Sequence, residues 1–254
     1  IIGVKADAIE RGEDREAFKD TMKKLGIPVP RSEICHSVEE AEIVAARLNY
    51  PVVIRPAYTL GGTGGGIAYN NEELKTLANR GLNASIIHQV LIEEAVIGWE
   101  ELELEVVRDE RNQKITVCFI ENIDAMGVHT GDSFCAAPML TVPQELQKRM
   151  QELSYSIVEA IGVVGGTNIQ FAHNLKEDRL VAIEINPRTS RSSALASKAT
   201  GFPIARVSTK LAVGLTLDEI PYWRKGTLEK YEPWGEYVVI KFARWAFEKF
   251  PKAK

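Results

Sequence analysis

Val181-Ala182-Ile183-Glu184-Ile185-Asn186-Pro187-Arg188-Thr189-Ser190-Arg191 is the stretch on which the fold turns. As a strand it alternates, sending Ala182, Glu184 and Asn186 to one face and Ile183 and Ile185 to the other. Pro187 has no N–H for a ladder, so the strand is expected to stop there, at a rim. A carboxylate and an amide then share a face, with Arg188 and Arg191 just past the strand end. Hard oxygen donors beside planar guanidinium groups suit a divalent cation carrying a phosphate. Upstream, Asn168-Ile169-Gln170-Phe171 alternates in the same way, so Asn168 and Gln170 face together. Paired antiparallel with the first stretch, it would bring Gln170 beside Glu184 and Asn186. One carboxylate and two amide oxygens, completed by phosphate and water, suit Mg²⁺ rather than zinc. The plainer alternative is a polar sheet face in solvent. The paired strand and the two arginines weigh against it.

A second signal is Gly61-Gly62-Thr63-Gly64-Gly65-Gly66, five glycines in six residues. Such a run carries a backbone-entropy cost and needs a reason. Close approach of backbone N–H groups to phosphate oxygens is one, and a surface hairpin with no ligand is the other. No Lys-Ser/Thr pair closes the run, so it is not a Walker A loop, and a strand rather than a helix follows, so it is not a dinucleotide fingerprint. Arg55, at the end of the strand that feeds it, favours a lid over a nucleotide. Gly127-Val128-His129-Thr130-Gly131 is another glycine-containing loop, and His129 alone would not mark a site.

The bulk numbers are those of an ordinary soluble globular protein. Of 254 residues, 45% are apolar and 26% charged, with a formal net charge of −4. That balance gives no support for a nucleic-acid surface or a polybasic membrane patch. Cys35, Cys118 and Cys135 are far apart and read as reduced packing thiols of a cytoplasmic protein. No apolar run reaches membrane-spanning length. The chain opens without Met on Ile1-Ile2-Gly3-Val4, which resembles the tail of a strand and suggests a fragment of something longer.

Along the chain, helices are expected from Asp14 to Leu25, from Ser37 to Leu48, from an Asn71 cap to Ala78, from Pro143 to Ile161, and over Ser192–Thr200 and Pro203–Val213. Strands are expected at 52–54, 66–69, 90–94, 101–106, 114–121, 165–172, 179–186 and 236–241. Glu101-Leu102-Glu103-Leu104-Glu105 alternates with period two, so one face of that strand carries three carboxylates. The expected class is α+β. Residues 1–26 would be the end of a preceding lobe with a linking helix, 27–97 a small α+β lobe with the glycine lid, and 98–254 a larger lobe with an antiparallel sheet and the metal site.

Together these features resemble the ATP-grasp fold, and more closely the large subunit of carbamoyl phosphate synthetases. The strings that carry the resemblance are Glu13-Asp14-Arg15, Ile54-Arg55-Pro56, Gly61-Gly62, Gly98-Trp99-Glu100-Glu101, Glu105 to Asp109, Asp124 to Ser133 and, most specific, Asn186 to Gly201. They cover nearly the whole chain and point to the amino-terminal half of that subunit. The resemblance implies ATP-dependent phosphorylation of bicarbonate to carboxyphosphate, then carbamate formation with ammonia. It assigns Arg15, Arg55, Gly61 and Gly62 to the phosphates, and Glu94, Val96 and Glu101 to the adenosine pocket. Gly127, Val128 and His129 would form a loop beside the nucleotide, and Gln170, Glu184 and Asn186 would hold Mg²⁺ or Mn²⁺. Arg188 would hold the bicarbonate or carboxyphosphate, with Arg191 a further catalytic candidate from its own chemistry, and Asn122, Asp124 and Ser192 would contribute to a K⁺ site. The implied partners are a glutaminase small subunit and the carboxy-terminal synthetase half. Two rivals stand beside it: a biotin-dependent carboxylase, and a non-catalytic module docking through Trp223, Trp234, Trp245 and Phe247.

Overall fold

A computed structural model describes residues 2–59, 63–128, 132–224 and 226–250. The chain begins with helices α1 (Ala6–Glu13) and α2 (Arg15–Leu25), joined at Asp14. Asp14 caps α2, its side chain accepting from Ala17 N–H at 2.8 Å. Next come β1 (Ser32–Cys35), α3 (Val38–Leu48), β2 (Val52–Pro56), β3 (Gly66–Ala68), α4 (Asn71–Ala84) and β4 (Val90–Glu94). They form one compact unit, Pro30–Ile97, with a four-stranded antiparallel sheet in the order β1-β4-β2-β3. Its own core is built from Val44, Leu48, Ile54, Leu74 and Ile92.

The second unit combines the chain up to Val29 with the chain from Gly98 onward. It contains α1, α2, β5 (Glu100–Arg108), β6 (Lys114–Asn122), β7 (Cys135–Ala137), α5 (Gln144–Ile161), β8 (Gly165–Asn174), β9 (Arg179–Asn186), α6 (Arg191–Thr200), α7 (Ile204–Ala212) and β10 (Val239–Lys241). The strands make a six-stranded antiparallel sheet in the order β10-β7-β6-β5-β8-β9. One face is apolar: Leu102, Leu104, Val106, Ile169, Phe171 and Ile185 pack with Phe18, Met22, Met150 and Ile157 from α2 and α5. Each such side chain contributes about 1.5–3 kcal/mol of burial free energy. The opposite face meets α6 and α7 at one end, where Val107, Val117 and Ile120 join Leu195, Val207, Leu211 and Phe202 in a second cluster. The α+β class is as expected, and no helix among the described residues is long and apolar enough to cross a membrane.

Several local expectations need correction. Residues 2–5 form no strand, and α1 follows them. The inner face of α1 is Ala8 and Gly12, too small to register as an apolar stripe. That smallness brings the helix onto β9: a Cβ on Gly12 would lie 3.3 Å from Ile185 Cγ2. In α4 the cap is Asn70, which accepts from Glu73 N–H at 2.9 Å, while Asn71 donates to Glu42. The helix runs on through Gly81 to Ala84, and Gly81 lets β4 approach, since a Cβ there would lie 2.9 Å from Val90 Cγ1. β1 and β7 are further strands, only 4 and 3 residues long, too short for a visible period. The strand expected over 236–241 covers only Val239–Lys241.

The most telling difference is in β9. Gln170 pairs with Glu184, but the next residue, Phe171, pairs with Ala182, so Ile183 is the extra residue of a bulge. Ala182 therefore turns to the apolar face with Ile185, not to the face of Glu184 as strict alternation implied. At the start of β8, Gly166 is packed against α7: a Cβ would lie 2.7 Å from Ile204 Cγ2 and 2.9 Å from Ser208 Oγ, the atom that accepts from Gly166 N–H. Gly166→Ala should lower the urea unfolding midpoint, with a loss of about 1–3 kcal/mol from overpacking. An unchanged midpoint would mean that α7 can move off the sheet at no cost.

Candidate functional site

The β8–β9 register sets Gln170 opposite Glu184 and Asn168 opposite Asn186. β5 adds Glu103 opposite Gln170 and Glu105 opposite Asn168. Two polar rows thus cross three strands on one sheet face: Glu103–Gln170–Glu184 and Glu105–Asn168–Asn186. Asn186 Nδ2 donates to Glu184 Oε1 at 3.2 Å, and Arg188 donates to Asn186 Oδ1 at 3.1 Å. Ser190 caps α6 in a reciprocal box with Ser193, which fixes where Arg191 and Ser192 start the helix.

All of these groups but Glu105 and Ser193 line a cleft of about 210 Å³, lying wholly within the larger unit. Gln170, Glu184, Asn186, Arg188 and Arg191, all singled out in the sequence, are brought together there. Glu103, Cys135, Asn168, Ser190, Ser192 and Lys241 line it too. The Glu101-x-Glu103-x-Glu105 alternation was a usable signal for Glu103, whereas Cys135 and Lys241 lie on short strands with no pattern to read.

Beneath the cleft runs a continuous chain of hydrogen bonds. Ser133 Oγ donates to Asn122 Oδ1, and Asn122 Nδ2 donates to Glu103 Oε1 at 2.9 Å. Asn168 Nδ2 donates to Glu103 Oε2 at 2.9 Å and to Glu105 Oε1 at 3.0 Å. Ser193 Oγ donates to Glu105 Oε2 at 2.8 Å. Asn122, Glu103, Glu105 and Asn168 are all buried.

The remaining candidates are divided between the units. Arg55 and Val96 belong to the smaller one, both half-buried, with Arg55 paired to Glu93 at 3.0 Å. Glu94 is also there, its carboxylate gripped by Arg31 through the backbone N–H at 2.8 Å and Nε at 2.7 Å. Arg15 is exposed in the first turn of α2 in the larger unit, where the helix dipole offers a cation nothing. Glu101 is buried on β5, and Gly127 and Val128 follow Met126, which is bonded to Trp99 and Gly98 at the foot of that strand. Of the three residues assigned to K⁺, Asp124 accepts from Phe134 N–H at 2.7 Å, Asn122 belongs to the chain of bonds above, and Ser192 bonds to Ser190 at 2.7 Å. Gly61, Gly62 and His129 lie outside the described residues.

Among the described residues no group of three His, Cys, Asp or Glu side chains is placed to hold a metal ion. One carboxylate and two amides instead fit a cation that draws its remaining ligands from phosphate and water, as Mg²⁺ on a nucleotide does. Residues 14–220 match the family described as carbamoyl-phosphate synthase L chain, ATP binding domain. The chain belongs to that family. The carbamoyl phosphate synthase large chain of Archaeoglobus fulgidus is 56% identical across 100% of this chain, which covers 24% of that protein. The N-terminal section of the large chain of Methanopyrus kandleri is 54% identical, with 100% and 45% covered. The chain therefore spans about a quarter of its full-length relatives. Among solved structures, Campylobacter jejuni biotin carboxylase in complex with β-γ-ATP has a TM-score of 0.74 at 19% identity, covering 89% of this chain and 51% of that one. The N5-carboxyaminoimidazole ribonucleotide synthetase purK, as its ADP complex, has a TM-score of 0.71 at 16% identity, covering 82% and 53%. At those identities the likeness is one of fold, and the fold is ATP-grasp.

In this ATP-binding domain the most perturbed carboxyl group on the cleft side is Glu105. Burial pushes its pKa up to about 7, the Glu103 charge adds to the rise, and the bonds from Ser193, Ser192 and Asn168 hold it back. A carboxyl whose pKa is higher folded than unfolded stabilises the fold fully below the unfolded value of 4.5, and that stability is lost as pH climbs through about 7. The span is worth about 3 kcal/mol. Unfolding midpoints in urea between pH 5 and 8 should therefore decline, and Glu105→Gln should flatten the decline. An equally steep decline in the variant would assign it to other groups.

Proposed function

We propose that this chain binds MgATP and phosphorylates bicarbonate to carboxyphosphate, then forms carbamate with ammonia, as the first half of carbamoyl phosphate synthesis for arginine and pyrimidines. The observation that carries the proposal is the convergence of Gln170, Glu184, Asn186, Arg188 and Arg191 on one cleft. Identity of 54% to an amino-terminal section of the large chain supports this half of the enzyme over the other. The biotin-dependent alternative has support only from a shared fold, at 19% identity for the Campylobacter protein. For the docking alternative, Trp223, Trp234, Trp245 and Phe247 are each about half exposed, with nothing to specify a partner.

A bicarbonate oxygen attacks the γ-phosphorus of ATP as the bond to the β,γ-bridging oxygen breaks, giving ADP and carboxyphosphate. Ammonia then attacks the carboxyl carbon and expels phosphate, leaving carbamate. Mg²⁺ or Mn²⁺ would neutralise charge on the phosphate oxygens. Glu184, Asn186 and Gln170 would hold that ion, and Arg188, with Arg191, would grip bicarbonate and offset the charge that develops on transfer. Arg15, Arg55, Gly61 and Gly62 would hold the phosphates, and closure of the glycine segment would keep water from a labile product. Glu94, Val96 and Glu101 would receive the adenosine, with Gly127, Val128 and His129 beside it. Asn122, Asp124 and Ser192 would contribute to a K⁺ site. Ammonia would come from a glutaminase subunit, and carbamate would pass to the carboxy-terminal synthetase half.

Glu184→Gln should weaken MgATP binding about tenfold, the loss expected of one charged ligand. Binding of metal-free ATP should not change. Calorimetry with and without Mg²⁺ decides this, and equal affinities with Mg²⁺ would remove Glu184 from the metal. Arg188→Ala should keep MgATP affinity and lose the stimulation of ADP release by bicarbonate. Retained stimulation would defeat the role of Arg188, and no stimulation of the unaltered chain would defeat the bicarbonate reading.

A further inference from the structure

Arg188 and Arg191 reach the cleft from just past β9, whereas Lys241 comes from β10, at the opposite edge of the sheet. The register explains how. Lys241 pairs with Cys135 on β7, and Cys135 pairs with Asn122 on β6. Residues directly opposed in an antiparallel ladder project from the same face. Lys241, Cys135 and Asn122 therefore form a row on the face of Glu103, which accepts from Asn122 at 2.9 Å. The Cys135 thiol registers the neighbour: burial pushes its pKa up, and Lys241 acts against that rise.

A lysine on a short edge strand usually serves to block edge-to-edge pairing, and then it stands out in solvent. Lys241 is half-buried, between Ile240 at 47% and Phe242 at 79% exposure, so the alternation turns it inward. Counted with it, the cleft has three cationic side chains, Arg188, Arg191 and Lys241, against two carboxylates, Glu103 and Glu184. Glu101 and Glu105 share that strand face, so the placement of the three cations, and not an excess of positive charge, is what favours an anion. Cations entering from both edges of the sheet suit an anion charged at both ends. Carboxyphosphate, with a phosphoryl group at one end and a carboxylate at the other, is such an anion.

We propose that Lys241 contacts the carboxylate end of the bicarbonate-derived anion, from the side of the cleft opposite Arg188 and Arg191. The assignment rests on the bicarbonate reading above and adds a residue to it. Lysine fits the task as a compact point charge that meets a carboxylate oxygen the arginine forks leave open.

Phosphonoacetate, which replaces the bridging oxygen of carboxyphosphate by CH₂, is a stable probe. In calorimetry with MgADP present, Lys241→Met should weaken phosphonoacetate binding about tenfold while changing inorganic phosphate binding by less than about twofold. Lys241→Arg should recover part of the loss. In the unaltered chain, reductive methylation of Lys241, followed by mass spectrometry, should slow when phosphonoacetate and MgADP are added. Undiminished affinity in Lys241→Met, an equal loss for phosphate, or an unslowed methylation rate each overturns the assignment while leaving the bicarbonate reading in place. An unaltered chain that binds no phosphonoacetate at all removes the bicarbonate reading, and the role of Lys241 goes with it.

Discussion

Two carboxylates buried on the face of one strand are the constraint from which the cleft follows. An ion taken from water costs several kcal/mol unless its oxygens are met by donors. Glu103 and Glu105 are 1% and 0% exposed, and their four oxygens take bonds from Asn122, Asn168 and Ser193. Asn168 serves both carboxylates with one amide group. Satisfying this set requires β5, β6, β8 and α6 to stand in one arrangement. A slip of β8 by one residue would turn Asn168 to the apolar face and present Ile169 to the carboxylates. The register that satisfies the buried charge is also the one that sets Gln170 opposite Glu184.

The apolar side of the same sheet makes a matching demand on β9. Ile185 lies under the strand end, against the Gly12 face of α1, and a Cβ on Gly12 would lie 3.4 Å from Pro187 Cγ. The bulge at Ile183 adds Ala182 to this layer without moving Glu184 or Asn186 off the cleft face. A bulge next to a site is a common way to aim a side chain. Here it lets one strand serve a packed core below its middle and a polar row above its end.

Much of this was legible because strand alternation reports a face directly. Period two put Glu184 with Asn186 on one face and Glu101, Glu103 and Glu105 on one face of their own strand, and an antiparallel pairing set Gln170 beside Glu184; that the two faces are one is read from the register. What alternation cannot report is a break in itself, and the bulge at Ile183 put Ala182 on the wrong side. Helix α1 was missed for a related reason, since Ala8 and Gly12 make an interface by being small, not apolar. Arg31 was not foreseen as the partner of Glu94, because a bond across 63 residues leaves no local pattern. Lys241 and Cys135 were invisible as cleft residues for the same cause: β7 and β10 are three residues each, and only pairing places them.

The buried chain of bonds also links protonation to the position of α6. With Glu105 ionised, its oxygens accept from Asn168 and from the hydroxyls of Ser193 and Ser192. A proton on Glu105 turns one of those acceptors into a donor, so one partner must reverse. The amide nitrogen of Asn168 cannot accept, whereas the Ser192 and Ser193 hydroxyls, both in the first turn of α6, can donate or accept. Ser193 is the residue that closes the α6 capping box, accepting from Ser190 N–H at 2.9 Å. A proton arriving at Glu105 therefore acts first on the turn that positions Arg191 and Ser192 over the cleft. With the Glu105 pKa pushed up to about 7, that exchange falls at neutral pH, where ordinary carboxylates would be silent.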